Sequence, residues 1–307
     1  MPTVKVSDIA FARLQSPDLD LAERFLTDFG LVRVARTPKA LYMRGTGPTH
    51  HLHVTHLGAP RFIGLAFHVE NEDDLKRVAR APGADGIETV DEPGGGRRVR
   101  ILDPHGYQME VVWGLHPHEE LPTRRVTRAT GEVLRIPPGP SQVKRLGHAV
   151  MMTPGAKDKI KWYREMFGFV VSDEVYAGPK DNIIASFDRC DRGEKHVDHH
   201  TLLCVENAKV GLNHLAFEVQ NFDDLMLGHQ HLKQQGRYRH AWGIGRHVIG
   251  SQVFDYWEDP WGRMHEHWWD SDLLGSRHPA SLVPAEEGLA SQWGEPVPET
   301  FITHASP

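Results

Sequence analysis

Apolar positions along the chain follow two different periods. Alternating runs at residues 4–14, 62–69, 98–102 and 107–113 predict strands, because side chains alternate faces along a strand. Residues 18–29 and 72–81 carry apolar side chains at helical spacing and predict amphipathic helices. Ser16, Pro17 and Asp18 supply the start signals of the first helix, and Gly30 its stop. Short strands are predicted at 41–43 and 51–54. The second half predicts strands at 145–153, 182–188, 198–205, 212–219, 252–258 and 263–269, with helices at 158–167 and 222–235. Each half reads βαβββ, with one strand free to belong to a following unit.

The pattern is a repeat. Gly64-Leu-Ala-Phe-His-Val69 returns as His214-Leu-Ala-Phe-Glu-Val219, and Asn71-Glu-Asp-Asp-Leu75 as Asn221-Phe-Asp-Asp-Leu225. Asp103-Pro-His-Gly106 leads to Glu110 over the same interval as Asp259-Pro-Trp-Gly262 leads to Glu266. Ala10 precedes Phe29 by 19 residues, as His148 precedes Phe167. This spacing pairs Ala10, Gly64 and Glu110 with His148, His214 and Glu266. The expected fold class is α+β, with tandem βαβββ modules paired into two domains. The boundaries read 1–115 for a domain without a metal site, 116–143 for a linker and 144–275 for a catalytic domain. A tail at 276–307 is placed to act as a lid, with Trp293 and Phe301 as candidate anchors.

Composition narrows the class. A chain of 307 residues is long enough for two cored domains. It contains no run of 18 apolar residues, and residues 1–8 lack the apolar stretch of a secretory signal. Two cysteines, Cys190 and Cys204, make no disulfide framework and fit a reducing cytoplasm. A net charge of −6 argues against nucleic acid as a partner. Arg124, Arg125, Arg128 and Arg135 in the linker read as a solvated connector. Among 21 histidines, His50, His51, His53, His56, His116 and His118 read as surface or packing residues.

Strand parity gives the second triplet a chemistry. His148, His214 and Glu266 lie on three predicted strands and can converge on one cavity, whereas His265 and His267 point away from Glu266. Two imidazoles and one carboxylate, with positions left open, form the facial triad of non-haem Fe(II) oxygenases. Around a divalent ion the net charge is +1, which suits a monoanionic chelating substrate. Zinc fits the same ligand types. The alternative is three inward-facing core residues.

The residues Gly245-Arg-His247, Tyr256, Asp259-Pro260-Trp-Gly262 and Glu266 follow a known signature. Over roughly residues 1–270 the chain resembles the type I extradiol ring-cleavage dioxygenases of the vicinal oxygen chelate superfamily. One departure is Asp255, where the pattern has an aliphatic residue or Phe. The resemblance implies Fe(II), or Mn(II), held by His148, His214 and Glu266, with a catechol and O₂ as reactants. It also implies His199, which lies 15 residues before His214, as general acid/base. Tyr256 would hydrogen-bond the catechol oxygen and His247 would hold substrate. The implied reaction is cleavage beside the diol of a substituted catechol, trihydroxytoluene or a 2,3-dihydroxybiphenyl-like compound, in aromatic catabolism. A cytoplasmic homo-oligomer, with a tetramer as one form, is expected. The rival readings are a glyoxalase-type isomerase or lyase, which usually assembles four protein ligands, and a metal-free binding protein of the same fold.

Overall fold

The computed structural model describes residues 1–124, 131 and 133–307. Arg125 and Arg128 of the linker lie outside the described residues. In chain order the first half contains β1 (Asp8–Ser16), α1 (Leu19–Asp28), β2 (Val32–Arg36), β3 (Ala40–Arg44), β4 (His53–Leu57), β5 (Arg61–His68), α2 (Glu72–Val78), β6 (Glu88–Thr89), β7 (Arg97–Leu102) and β8 (Gln108–Trp113). The second contains β9 (Arg145–Thr153), α3 (Ala156–Phe167), β10 (Val170–Tyr176), β11 (Ile183–Arg189), β12 (Val197–Asp198), β13 (Leu202–Glu206), β14 (Gly211–Glu218), α4 (Phe222–Gln235), β15 (Arg239–His247), β16 (Val253–Glu258) and β17 (Met264–Trp269). The tail adds β18 (Leu273–Leu274), β19 (Ser281–Pro284), α5 (Ala285–Gly288), β20 (Ser291–Trp293) and α6 (Glu299–Ile302).

The strands form two large sheets, ordered β2-β3-β4-β1-β5-β8-β7-β6 and β19-β10-β11-β13-β9-β14-β17-β16-β15-β20. Each half is thus two βαβββ units joined back to back, through β1 with β5 and β9 with β14. The units begin at β1, β5, β9 and β14. Their helices form where the sequence caps them. Asp18 accepts from the backbone N–H of Asp20 and Leu21, both at 2.9 Å, and Asn221 accepts from Asp224 N at 3.0 Å. Gly168 ends α3 at φ 73°, a left-handed conformation that favours glycine.

One apolar core runs through both halves and joins Phe25, Phe29 and Phe67 to Phe167, Phe217 and Trp257. Arg263 fastens the halves together by donating to Gln15 O at 2.6 Å and Ser16 Oγ at 2.7 Å. The linker is docked: Arg124, expected in solvent, donates to Asp224 Oδ1 at 2.6 Å and Pro140 O at 2.7 Å. Both cysteines are buried and free. No helix among the described residues is long and apolar enough to cross a membrane.

The strands β2, β10 and β15 escape the alternation reading. β2 is a largely exposed edge, and β15 (Arg-His-Ala-Trp-Gly-Ile-Gly-Arg-His) carries two glycines and few alternating apolar positions. Pairing also corrects the repeat by one residue. In β1 against β5, Ile9 faces Phe67 and Phe11 faces Ala66, leaving Ala10 as a bulge. In β9 against β14, Leu146 faces Phe217 and His148 faces Ala216, leaving Gly147 as the bulge. The counterpart of His148 is therefore Phe11, not Ala10. The equal intervals to Phe29 and Phe167 conceal this, because α1 has 10 residues and α3 has 12.

Candidate metal centre

Two β-bulges position the two imidazoles. Gly147 bulges just before His148, and Asn213 bulges just before His214. A Cβ at Gly147 would strike the Trp268 ring, so the close approach there requires glycine. The ladder runs from His148 to Ala216 on β14, then to Glu266 on β17, then to Tyr256 on β16. These four residues form one row across four strands, and His214 lies two residues before Ala216 on the same face. The turn before β17 sets its register: Asp259 Oδ1 accepts from Trp261 N and Arg263 N, both at 2.9 Å. That turn explains the fixed interval from Asp259 to Glu266.

His148 Nε2 and His214 Nε2 each lie 3.2 Å from Glu266 Oε2, and all three residues are buried. Asn213 Nδ2 donates to Phe301 O and His304 O, both at 3.1 Å, so its Oδ1 accepts the proton of His214 Nδ1 at 2.7 Å. His214 Nε2 is then a bare lone pair aimed at a carboxylate oxygen. Neither that nitrogen nor either oxygen of Glu266 has a hydrogen-bond partner. Buried acceptors facing one another need a cation between them. Ligand atoms bound at about 2.1 Å to one ion stand about 3.0–3.4 Å apart, which the observed 3.2 Å matches. The residues fit a divalent metal.

By register Ala149 faces Leu202 on β13, as Leu215 faces His265 on β17. Leu203 is therefore the counterpart of Glu266, and this fourth place offers no ligand atom. The equivalent places in the first half carry Phe11, Gly64 and Glu110, of which Glu110 alone offers a ligand atom. A Cβ at Gly64 would collide with the backbone carbonyl of Gln108, so a His214-like side chain has no room there. Glu110, the residue paired with Glu266 in the repeat, is held by Arg13 and by Arg98, the latter at 3.2 Å.

The triad sits beside a cavity of about 340 Å³. Val150, Met152, Val175, Ile184, Leu203 and Ile249 make its walls apolar, and among the described residues no Lys or Arg lines it. The tail closes one side with Leu289, Phe301 and Ile302. Phe301 is buried and packs 4.7 Å from the Tyr256 ring. Trp293, the other candidate anchor, is 43% exposed and packs on Phe222 instead.

His247 and Tyr256 both line the cavity, with Nε2 and the phenolic oxygen 3.0 Å apart. Burial pulls the His247 imidazole down to about 4 and pushes the Tyr256 phenol well above its ordinary range. His199 does not line it; His200 does, with its ring centroid 4.1 Å from that of His148. The family spacing of 15 residues before His214 selects His199 and puts His200 on the opposite face of a strand expected at 198–205, but the strand begins only at Leu202, so that parity does not carry across the bend. His199 faces Asp173, whose carboxylate can only accept, so His199 Nε2 holds a proton. His199 Nδ1 then accepts from His200 Nδ1 at 3.2 Å, which leaves His200 Nε2 as the free acceptor. Burial, followed by the neighbouring imidazoles, holds His200 well below the usual histidine range.

This fold and site belong to a known class. The family model of the Glyoxalase/Bleomycin resistance protein/Dioxygenase superfamily matches residues 8–111 and 145–266, and the chain is a member of that superfamily. Within it the chain is an enzyme of the extradiol catechol dioxygenase type. It is 32% identical to Metapyrocatechase 2 of Cupriavidus necator, over 98% of this chain and 93% of that protein. It superposes on an Mn(II)-bound glyoxalase from Novosphingobium aromaticivorans with a TM-score of 0.81 at 24% identity, covering 99% of this chain and 96% of that one. It superposes on homoprotocatechuate 2,3-dioxygenase from Brevibacterium fuscum with a TM-score of 0.82 at 20% identity, covering 99% and 94%.

Proposed function

We propose that this enzyme cleaves the ring of catechols bearing an apolar substituent, beside the diol, with Fe(II) held by His148, His214 and Glu266. The observation that carries the reading is the buried cluster of His148, His214 and Glu266 beside an apolar cavity, in which His214 Nε2 and both Glu266 oxygens lack a hydrogen-bond partner. Two neutral imidazoles and one carboxylate suit Fe(II) and leave coordination positions open. Mn(II) takes the same ligands, and iron analysis of the purified protein decides between them. Leucine at position 203 supports oxygen chemistry over a four-ligand glyoxalase reaction, because it keeps that side open for substrate.

When bound, the metal supplies a common centre for the diol and O₂ and passes electrons between them. The protein's part is proton handling and water exclusion. Tyr256 donates to a deprotonated diol oxygen, and its high pKa keeps that proton in place at neutral pH. His247, neutral at pH 7, holds Tyr256 and the adjacent substrate edge. His200 Nε2 accepts the proton leaving the diol and returns it to the reacting oxygen as ring opening proceeds. Asp173 and His199 fix the tautomer that makes Nε2 the base. Phe301 and Ile302 keep water from the site.

The substituent class follows from the walls. A carboxylated catechol would bring a second negative charge into a cavity without a cationic side chain among the described residues. Oxygen uptake by the Fe(II)-loaded enzyme should favour 3-methylcatechol and 2,3-dihydroxybiphenyl over 3,4-dihydroxyphenylacetate by at least tenfold in kcat/KM. Equal values would reject the apolar assignment; no uptake with any catechol would reject the reaction.

A further inference from the structure

Asp255, the one departure from the family signature, lies on the face of β16 opposite the cavity. Its side chain is fully buried. Two histidines from different elements converge on it. His229 on α4 places Nδ1 3.1 Å from Asp255 Oδ1, and His240 on β15 places Nε2 2.8 Å from the same oxygen. The three ligand atoms all lie within 4.8 Å of one another. The other carboxylate oxygen is held by Trp257 Nε1 at 2.7 Å, which fixes the plane of the carboxyl group. The two imidazole planes cross at 86°.

The geometry points to a second metal site, at which His229 Nδ1, His240 Nε2 and Asp255 Oδ1 bind a divalent ion of the zinc type. Two nitrogens and one oxygen are the ligand types Zn(II) accepts, with water as a fourth ligand. The spacing is close to the 3.2 Å found between the histidines and Glu266 at the catalytic triad. The side chains of His229 and His240 are 18% and 31% exposed, so an ion and its water can enter from solvent. The carboxylate beneath is sealed from water, so an ion bound there keeps most of its attraction to the charge. The three residues come from α4, β15 and β16, so a bound ion ties the helix to the hairpin. That hairpin carries His247 at the end of β15 and Tyr256 next to Asp255. The site is separate from the catalytic centre and does not depend on the reaction proposed for it.

The test is Zn(II) stoichiometry of the metal-stripped full chain by calorimetry, comparing wild type with His240→Gln. His240 is partly exposed and outside the catalytic site, so the substitution should preserve the fold, verified by near-UV circular dichroism. If that variant loses its native spectrum, His229→Gln replaces it. The expected result is one equivalent fewer in the variant, together with loss of the Zn(II)-induced rise in Tm belonging to that equivalent. The same stoichiometry in both proteins would overturn the site and leave the cluster as two imidazoles hydrogen-bonded to a carboxylate.

Discussion

Asn213 holds the imidazole of His214 with one end of its amide and the C-terminal tail with the other. Its Oδ1 accepts from His214 Nδ1 at 2.7 Å, while its Nδ2 donates to Phe301 O and His304 O. Ser306 pairs with Leu212 beside it. The orientation of His214, a proposed ligand, and the docking of the tail therefore pass through one side chain. Asn213→Ala removes both, and loss of such an outer contact commonly costs about 10–100-fold in metal affinity. Metal titration should show that weakening, and limited proteolysis should cut the variant's tail faster. Unchanged metal affinity would remove Asn213 from this role.

His200 and His199 should separate in their effects. His200→Phe removes the proposed base and should lower kcat by roughly 10²–10⁴-fold while metal and substrate still bind. His199→Phe takes away the group that fixes the tautomer of His200, and it also strands Asp173. It should lower kcat less, shift the pH profile and lower Tm. Stopped-flow turnover across pH 6–9 distinguishes the two, and full activity of His200→Phe would reject the base assignment.

The first domain should respond as scaffold. Arg13→Met leaves the buried Glu110 carboxylate with Arg98 as its remaining guanidinium partner. Breaking a buried pair on one side costs roughly 3 kcal/mol. Urea unfolding should show that loss, and metal stoichiometry should not change.

Stability should fall in acid. Burial pulls His51 down to about 3, and His68 and His265 to about 4, from the ordinary 6.5. At pH 5 the folded protein keeps these rings neutral, while the unfolded chain protonates them. Unfolding then takes up protons, so each ring subtracts ~1.4 kcal/mol per pH unit between its two pKa values. Their contribution is complete above about pH 6.5 and is lost as pH falls toward 4 for His68 and His265 and toward 3 for His51. Melting of metal-stripped protein from pH 8 to pH 5 should show a plateau and then a decline. A flat curve would contradict burial of these rings in the neutral form.

The candidate metal triplet was legible because it rests on local rules. Alternation placed His214 and Glu266 on single strand faces, and the Asp259-Pro260 turn fixed the register of the strand carrying Glu266. His200 was not legible, because the 15-residue spacing points to its neighbour His199 and the strand expected at 198–205 begins only at Leu202. Ala10 was paired with His148 because an interval counted along the chain cannot register a bulge or a longer helix. The tail's strands were invisible because neither β19 nor β20 has a pattern of its own; each exists by pairing with distant β10 or β15.

By itself the sequence determined the doubled βαβββ plan, the α+β class and a two-histidine, one-carboxylate set in the second half. These follow from periodicity and turn chemistry, which act over a few residues. Only the tertiary structure decided that His200 rather than His199 meets the cavity, that Leu203 leaves the fourth ligand place empty and that the tail reaches His214 through Asn213. It also brought His229 and His240 onto Asp255. Those relations depend on bulges, on strand pairing across long chain intervals and on which face a bend presents. No local pattern encodes them.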